Sequence, residues 1–137
     1  MAGAFPASAQ TVSPSCDNNG FLSAQQAAES GQVRGDQPVH ICGKVVSVAH
    51  RARKTRSGVH GYFYVSTGSG VSIRIVTNLD EMNTPPWPWV EKGDQVDVVG
   101  RYYYDSPRRQ GIDWTHKGTG SRWGLPGYVI VNGTKYE

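Results

Sequence analysis

Apolar residues along this chain alternate with polar ones far more often than they recur every third or fourth position. Val39 to Val48 is a long β-branched run with Gly43 inside it, and a glycine within a strand often marks a bulge or a sharp bend. Between residues 59 and 65, Gly61, Phe63 and Val65 fall on one face, and His60, Tyr62 and Tyr64 on the other. Val71, Ile73 and Ile75 alternate with Ser72 and Arg74, and Val96, Val98, Gly100, Tyr102 and Tyr104 oppose Asp97, Val99, Arg101 and Tyr103. Arg108-Arg109-Gln110-Gly111 reads as a hairpin loop leading into a strand over 112–116, which places Trp114 and His116 on one face and Asp113, Thr115 and Lys117 on the other. Strands at 127–131 and 134–136 meet at Asn132-Gly133, the strongest two-residue hairpin signal in the chain. One stretch reads as helix: Asp17-Asn18-Asn19 offers a cap, Phe21, Leu22, Ala24, Ala27 and Ala28 an apolar face, and Gly31 a stop.

Together these signals predict an all-β fold, a small OB-like barrel of five to six strands with a short N-terminal helix. An SH3-like barrel and a small sandwich are the competing folds. The Pro85-Pro86-Trp87-Pro88-Trp89-Val90 stretch excludes an ordinary helix in the long connector, and its tryptophans are expected to cap the barrel. A length of 137 residues, with 17 glycines and 8 prolines, fits one turn-rich domain, expected over 16–137. Residues 1–15 read as a disordered segment. Within it Ala4-Phe5-Pro6-Ala7-Ser8-Ala9 ends in a small-x-small pattern ahead of Gln10, like the remnant of a secretory signal. The expectation is therefore a periplasmic or secreted protein. An even pair of cysteines, Cys16 and Cys42, agrees with export and predicts a disulfide. No apolar run approaches the roughly 18 residues of a membrane-spanning helix.

The net charge is only +3, but its distribution is uneven. No Asp or Glu lies between Asp36 and Asp80, whereas Lys44, Arg51, Arg53, Lys54, Arg56 and Arg74 do, so one part of the molecule is expected to carry a positive field. Arg51-Ala52-Arg53-Lys54-Thr55-Arg56 packs four cations into six residues. In an OB-like barrel the loop after the first strand flanks the ligand face. Cations there track phosphates while aromatic rings stack bases, so Arg53, Lys54 and Arg56 are candidate binding residues with Tyr62 and Tyr64, and Tyr102 and Tyr103 are further candidate rings. A second cluster joins Trp114-Thr115-His116 to Arg122. An imidazole there offers acid–base chemistry near neutral pH, and a guanidinium offers a bidentate anion contact. None of His40, His50, His60 and His116 has metal-ligand spacing, and no nucleophile elbow, P-loop or dinucleotide fingerprint occurs. No metal and no cofactor is expected.

Several blocks make the chain resemble an exported bacterial family, domain of unknown function 3465. They are Gly43-Lys44-Val45-Val46, His60 ahead of Phe63, Asn78-Leu79-Asp80, Gly93-Asp94-Gln95-Val96 with Gly100-Arg101-Tyr102, Gly111-Ile112-Asp113-Trp114-Thr115-His116, Gly127-Tyr128 and Gly133-Thr134-Lys135-Tyr136. The resemblance runs from about Gln32 to Tyr136, and Trp-Thr-His is its most specific part. It implies an OB-like fold and export, and no established activity. Members of the family carry further histidines where this chain has Thr77, Asp113, Lys117 and Trp123, so a multi-histidine metal cluster is not carried over intact. His60, Asn78, His116 and Arg122 remain.

Three functional expectations follow. The leading one is an exported binding module of the envelope or exterior for an anionic ligand, single-stranded nucleic acid included, using Asn78, Trp114 and Arg122 with the basic loop and the tyrosines. The second is a small phosphodiesterase- or nuclease-like hydrolase with His60 and His116 as base and acid. The third is a structural or inhibitory envelope protein that binds another protein along an exposed strand edge.

Overall fold

The computed structural model describes residues 11–33, 36–68, 70 and 72–137. The expected signal remnant, residues 4–9, lies outside them. Eight strands form: β1 Gln37–Val48, β2 Arg53–Thr55, β3 Gly58–Ser66, β4 Ser72–Asn78, β5 Gln95–Ser106, β6 Arg109–Asp113, β7 Tyr128–Val131 and β8 Thr134–Tyr136. Five of them, in the order β1-β3-β4-β6-β5, close on themselves through the pairing of β5 with β1. All pairings in this ring are antiparallel except that of β4 with β6. The fold is thus the expected small OB-like barrel, with β7 and β8 extending the sheet beyond β5 and β2 folding back on β3.

The long first strand makes closure possible. Residues 37–44 pair with β5, and residues 44–48 pair with β3 across an irregularity between Val45 and Ser47. Gly43 lies next to the residue where the partner changes. The alternation read from the sequence holds along each wall: Ile41, Phe63, Val65, Ile73, Ile75, Val96, Val98, Tyr102 and Ile112 are all buried in one core.

The helix, α1 Asn18–Glu29, starts where Asp17 accepts the Gly20 amide at 2.9 Å. It buries Phe21 edge-on against Tyr102, ring centroids 5.0 Å apart, whereas Leu22 faces solvent. The helix is fastened to the barrel at its N-terminus and again at Gln25. Asn18 donates to the Cys42 carbonyl at 2.9 Å and accepts its amide at 3.0 Å, beside the Cys16–Cys42 disulfide. Gln25 donates to Gln110 at 2.9 Å, and Gln110 also accepts the Tyr102 hydroxyl at 2.7 Å. Order extends into the expected loose segment, because the His40 ring contacts the Ser13 carbonyl at 3.0 Å. In the connector, Trp87 packs on Phe63 and donates to the Ala49 carbonyl at 2.8 Å, and Trp89 stacks on Tyr136. Both tryptophans pack against the core, the fate expected of large aromatics.

Two boundaries differ from the sequence reading. The β5–β6 turn falls at Pro107 and Arg108, so Arg109, Gln110 and Gly111 belong to β6 and not to a loop. That strand ends at Asp113, before Trp114-Thr115-His116. No helix among the described residues is long and apolar enough to cross a membrane.

The disulfide closes a loop with a sequence separation of 26 residues. Loop-closure entropy assigns such a bridge about 3 kcal/mol, which for a chain of this size is roughly 10 °C in Tm. The double variant C16S/C42S is expected to melt lower by that amount, measured by circular dichroism. An unchanged melt would show that Asn18 and Phe21 alone hold the helix in place.

Candidate functional site

The outward residues of β3, β4, β5 and β6 build one polar face on the barrel. Register sets His60 opposite Asn78, Tyr62 opposite Val76 and Tyr64 opposite Arg74. It also sets Arg101 opposite Asp113, and places Gly111 between Arg74 and Tyr103. Having no side chain, Gly111 leaves a gap in that row. A Cβ on it would lie 2.6 Å from the Tyr103 hydroxyl. Arg74 reaches across the gap to that hydroxyl at 2.7 Å, its guanidinium also 5.2 Å from the Tyr62 ring centre.

This row separates two cavities. The larger, about 740 Å³, is lined by His60, Tyr62, Asn78, Trp114, His116 and Arg122, among others. The smaller, about 490 Å³, is lined by Tyr64, Arg108 and Arg109, among others. Arg74, Tyr103 and Asp105 border both. His60 and His116, far apart in sequence, therefore meet at one site. Tyr64 belongs to the neighbouring cavity, and Arg53, Lys54 and Arg56 to neither. Those three cations are exposed on β2 and its turn, a hairpin strand where the sequence suggested a loop, while Thr55 and Ser57 of the same hairpin reach the cavity wall.

Charge in the larger cavity is close to balanced. Its three arginines, Arg74, Arg101 and Arg122, face four carboxylates, Asp36, Glu81, Asp105 and Asp113. Arg101 is committed: it holds Asp113 through two bonds of 2.8 and 2.7 Å and Asp36 through a third of 3.1 Å. The positive field expected from composition thus lies on the flanking hairpin and not inside. Among the described residues no three His, Cys, Asp or Glu side chains come together as a metal site.

The chain leaves β6 abruptly. Trp114 adopts a φ of 51°, a left-handed conformation that is strained for a bulky residue by about 1–2 kcal/mol. The flip ends the alternation expected over 112–116. Thr115 turns fully inward, donating to the Val76 carbonyl at 2.9 Å, and the His116 carbonyl accepts the Gly127 amide at 2.8 Å. As a result Asp113, Trp114 and His116 all border the cavity, and the Trp114 and His116 rings lie 5.4 Å apart.

His60 and His116 are 7% and 6% exposed. His60 Nε2 lies 2.7 Å from the Ser57 hydroxyl, and its Nδ1 has no partner. His116 Nδ1 makes no hydrogen bond of good geometry, although the Gly118 backbone lies close enough to favour its charged form. Burial is the largest influence on His116 and pushes its pKa below the ordinary 6.5, helped slightly by His60 and opposed by Glu81 and Asp113.

Asn78 is largely engaged by the protein. Its amide donates to the Ser57 carbonyl at 3.0 Å and its oxygen accepts the Asp80 amide at 3.2 Å. Asp80 in turn accepts the Val59 amide at 2.9 Å. The β2–β3 turn is thereby clamped onto the 3-10 turn Leu79–Glu81. Gly58, at a φ of 126°, fits this clamp where a Cβ would meet the Asp80 carboxylate at 2.6 Å.

Searches of family models, curated proteins and solved structures each return no match for this chain. The reading of the face rests on its geometry.

Sequence reasoning did not single out Ser57, Glu81, Arg74 or Arg101 as site residues; of its other two candidate rings, Tyr103 borders the cavity and Tyr102 is buried in the core instead. Arg74, Arg101 and Tyr103 were legible as outward strand positions. Ser57 and Glu81 lie in turns and carry no periodic signal.

Because burial lowers the His116 pKa, the unfolded chain binds its proton first. The associated stability is complete above pH 6.5 and is lost as pH falls from there through the lower folded-state value. Melting wild type and H116Q between pH 7.5 and about 5 is expected to show the wild type losing more Tm on acidification. A larger loss in H116Q would contradict the assignment.

Proposed function

We propose that the chain is an exported OB-like binding protein whose β3–β4–β6–β5 face takes an anionic polymer, with single-stranded nucleic acid the ligand whose chemistry it matches best. The observation that carries this reading is the junction of the two cavities along Arg74 and Tyr103. Sharing Arg74, Tyr103 and Asp105, the two cavities adjoin, with rings and arginines on the walls of each. Tyr62 and Trp114 border the larger cavity and Tyr64 the smaller. Arg108 and Arg109 line the smaller cavity, and Arg53, Lys54 and Arg56 lie exposed on the hairpin whose Thr55 and Ser57 line the larger. Rings that accept any base and cations that follow phosphates are the means by which such barrels hold single strands. Export is part of the proposal. A disulfide persists in oxidising compartments, and the family resemblance points the same way.

A second reading is favoured by one specific observation. His60 and His116 border a single cavity with Arg122, as a phosphodiester hydrolase would require.

The binding reading is tested by fluorescence anisotropy with short DNA and RNA oligonucleotides at several salt concentrations. Affinity is expected to fall with salt. The triple variant R53A/K54A/R56A is expected to weaken binding and flatten the log–log salt slope by about 2, since each single-strand phosphate contact contributes about 0.7. Binding that ignores ionic strength would refute it.

A further inference from the structure

Ser57 stands in the turn between β2 and β3, on the wall of the larger cavity. Its hydroxyl is 2.7 Å from His60 Nε2. The Thr55 hydroxyl donates to the Gly58 carbonyl at 3.3 Å, and its oxygen already accepts the Ser57 amide at 3.3 Å. The Thr55 hydroxyl also lies 3.2 Å from Ser57 Oγ. At 2.7 Å the Ser57 hydroxyl can donate to His60 Nε2 when that imidazole carries its proton on Nδ1. This is a nucleophile hydrogen-bonded to its base.

The surroundings make the pair more than a chance contact on a mobile turn. Asn78 holds the Ser57 carbonyl and Asp80 holds the Val59 amide, so both sides of the turn are fixed from the neighbouring 3-10 segment. The imidazole is 7% exposed and its second nitrogen is free of protein partners, whereas the serine itself is exposed to the cavity. A buried imidazole behind an accessible hydroxyl on a clamped turn supplies the nucleophile and base of a covalent site.

We propose that Ser57 is the nucleophile and His60 the general base of a covalent phosphodiester hydrolysis in this cavity. Ser57 Oγ forms a bond to phosphorus as its proton passes to His60 Nε2. The bond from phosphorus to the leaving alcohol breaks, and the imidazolium returns the proton to that oxygen. Water then attacks the phosphoserine diester and gives a proton to His60. The Ser57–phosphorus bond breaks and Ser57 recovers its hydroxyl proton. One water is consumed, the products are an alcohol and a phosphate monoester, and no metal or redox partner enters. Arg122, on the same cavity wall, is placed to hold the non-bridging oxygens. The proposal rests on the hydrolytic reading above, and oligonucleotide binding does not depend on it.

Diisopropyl fluorophosphate presents the same reaction centre, with fluoride as the leaving group. The full folded chain is expected to gain one diisopropylphosphoryl adduct by intact mass, mapped to Ser57 by peptide sequencing. S57A is expected to gain none, and H60Q to label at least about 100-fold more slowly, the usual range for loss of a general base. H60N serves if H60Q melts below the assay temperature. Absence of an adduct on wild type, an adduct on another residue, or undiminished labelling of the His60 variants would each overturn the assignment. Anisotropy with S57A is run alongside. Retained oligonucleotide binding without labelling of the wild type would sink the nucleophile and leave the binding face standing, and the reverse pattern would do the opposite.

Discussion

The rest of the structure depends on one strand serving two neighbours. Lys44 is the last β1 residue opposite β5 and the first opposite β3. Without that handover the sheet would stay open, and β5 and β6 would not be carried round to β4. The other joins between consecutive barrel strands are local hairpins or short connections, but β1–β5 and β4–β6 bring distant segments together. Long-range pairings of this kind are slow to find and have to be held once found. The disulfide and the Asn18 clamp act on Cys42, two residues before the handover, which places the strongest local fastening where closure needs it.

Closure also creates the site. The inner face takes the apolar residues of each strand. The outer face of β3, β4, β6 and β5 then presents their polar alternates in register. Most of those groups are already occupied by one another: Arg101 by two aspartates, Arg74 by Tyr103, and Asn78 by the turn it fastens. Less committed are the Trp114 ring, Arg122 and the exposed Ser57, with the two imidazoles nearly buried behind them. Selectivity on such a face comes from position more than from net charge, because its arginines and carboxylates nearly cancel.

The barrel and its walls were legible in the chain because strand alternation is a period-two signal that burial enforces residue by residue. The helix cap at Asp17 and the Asn132-Gly133 hairpin were legible for the same reason: local chemistry fixes local geometry. His60, Asn78, Trp114, His116 and Arg122 could be picked out by residue type, but their shared cavity is set by register across strands far apart in sequence, which spacing does not encode. Trp114 shows the limit most clearly. Its left-handed backbone breaks the strand where the pattern would continue it, because Thr115 gains a buried hydrogen bond to Val76 that a continuous strand would not provide. Ser57 was invisible for a related reason. Its significance lies in one contact to His60 and two clamps from a different segment.

Gly111 carries a consequence beyond the space it leaves. The Arg74–Tyr103 contact formed over it is a crossbar on the floor of the groove, with a larger compartment on one side and a smaller on the other. A single nucleotide-sized ligand can settle in one compartment and never meet the bar. A chain occupying both has to pass over it, where a cation and a phenol wait at the midpoint. On the proposed reading of this face as a polymer site, length would be selected before sequence, through the one position in the row with no side chain.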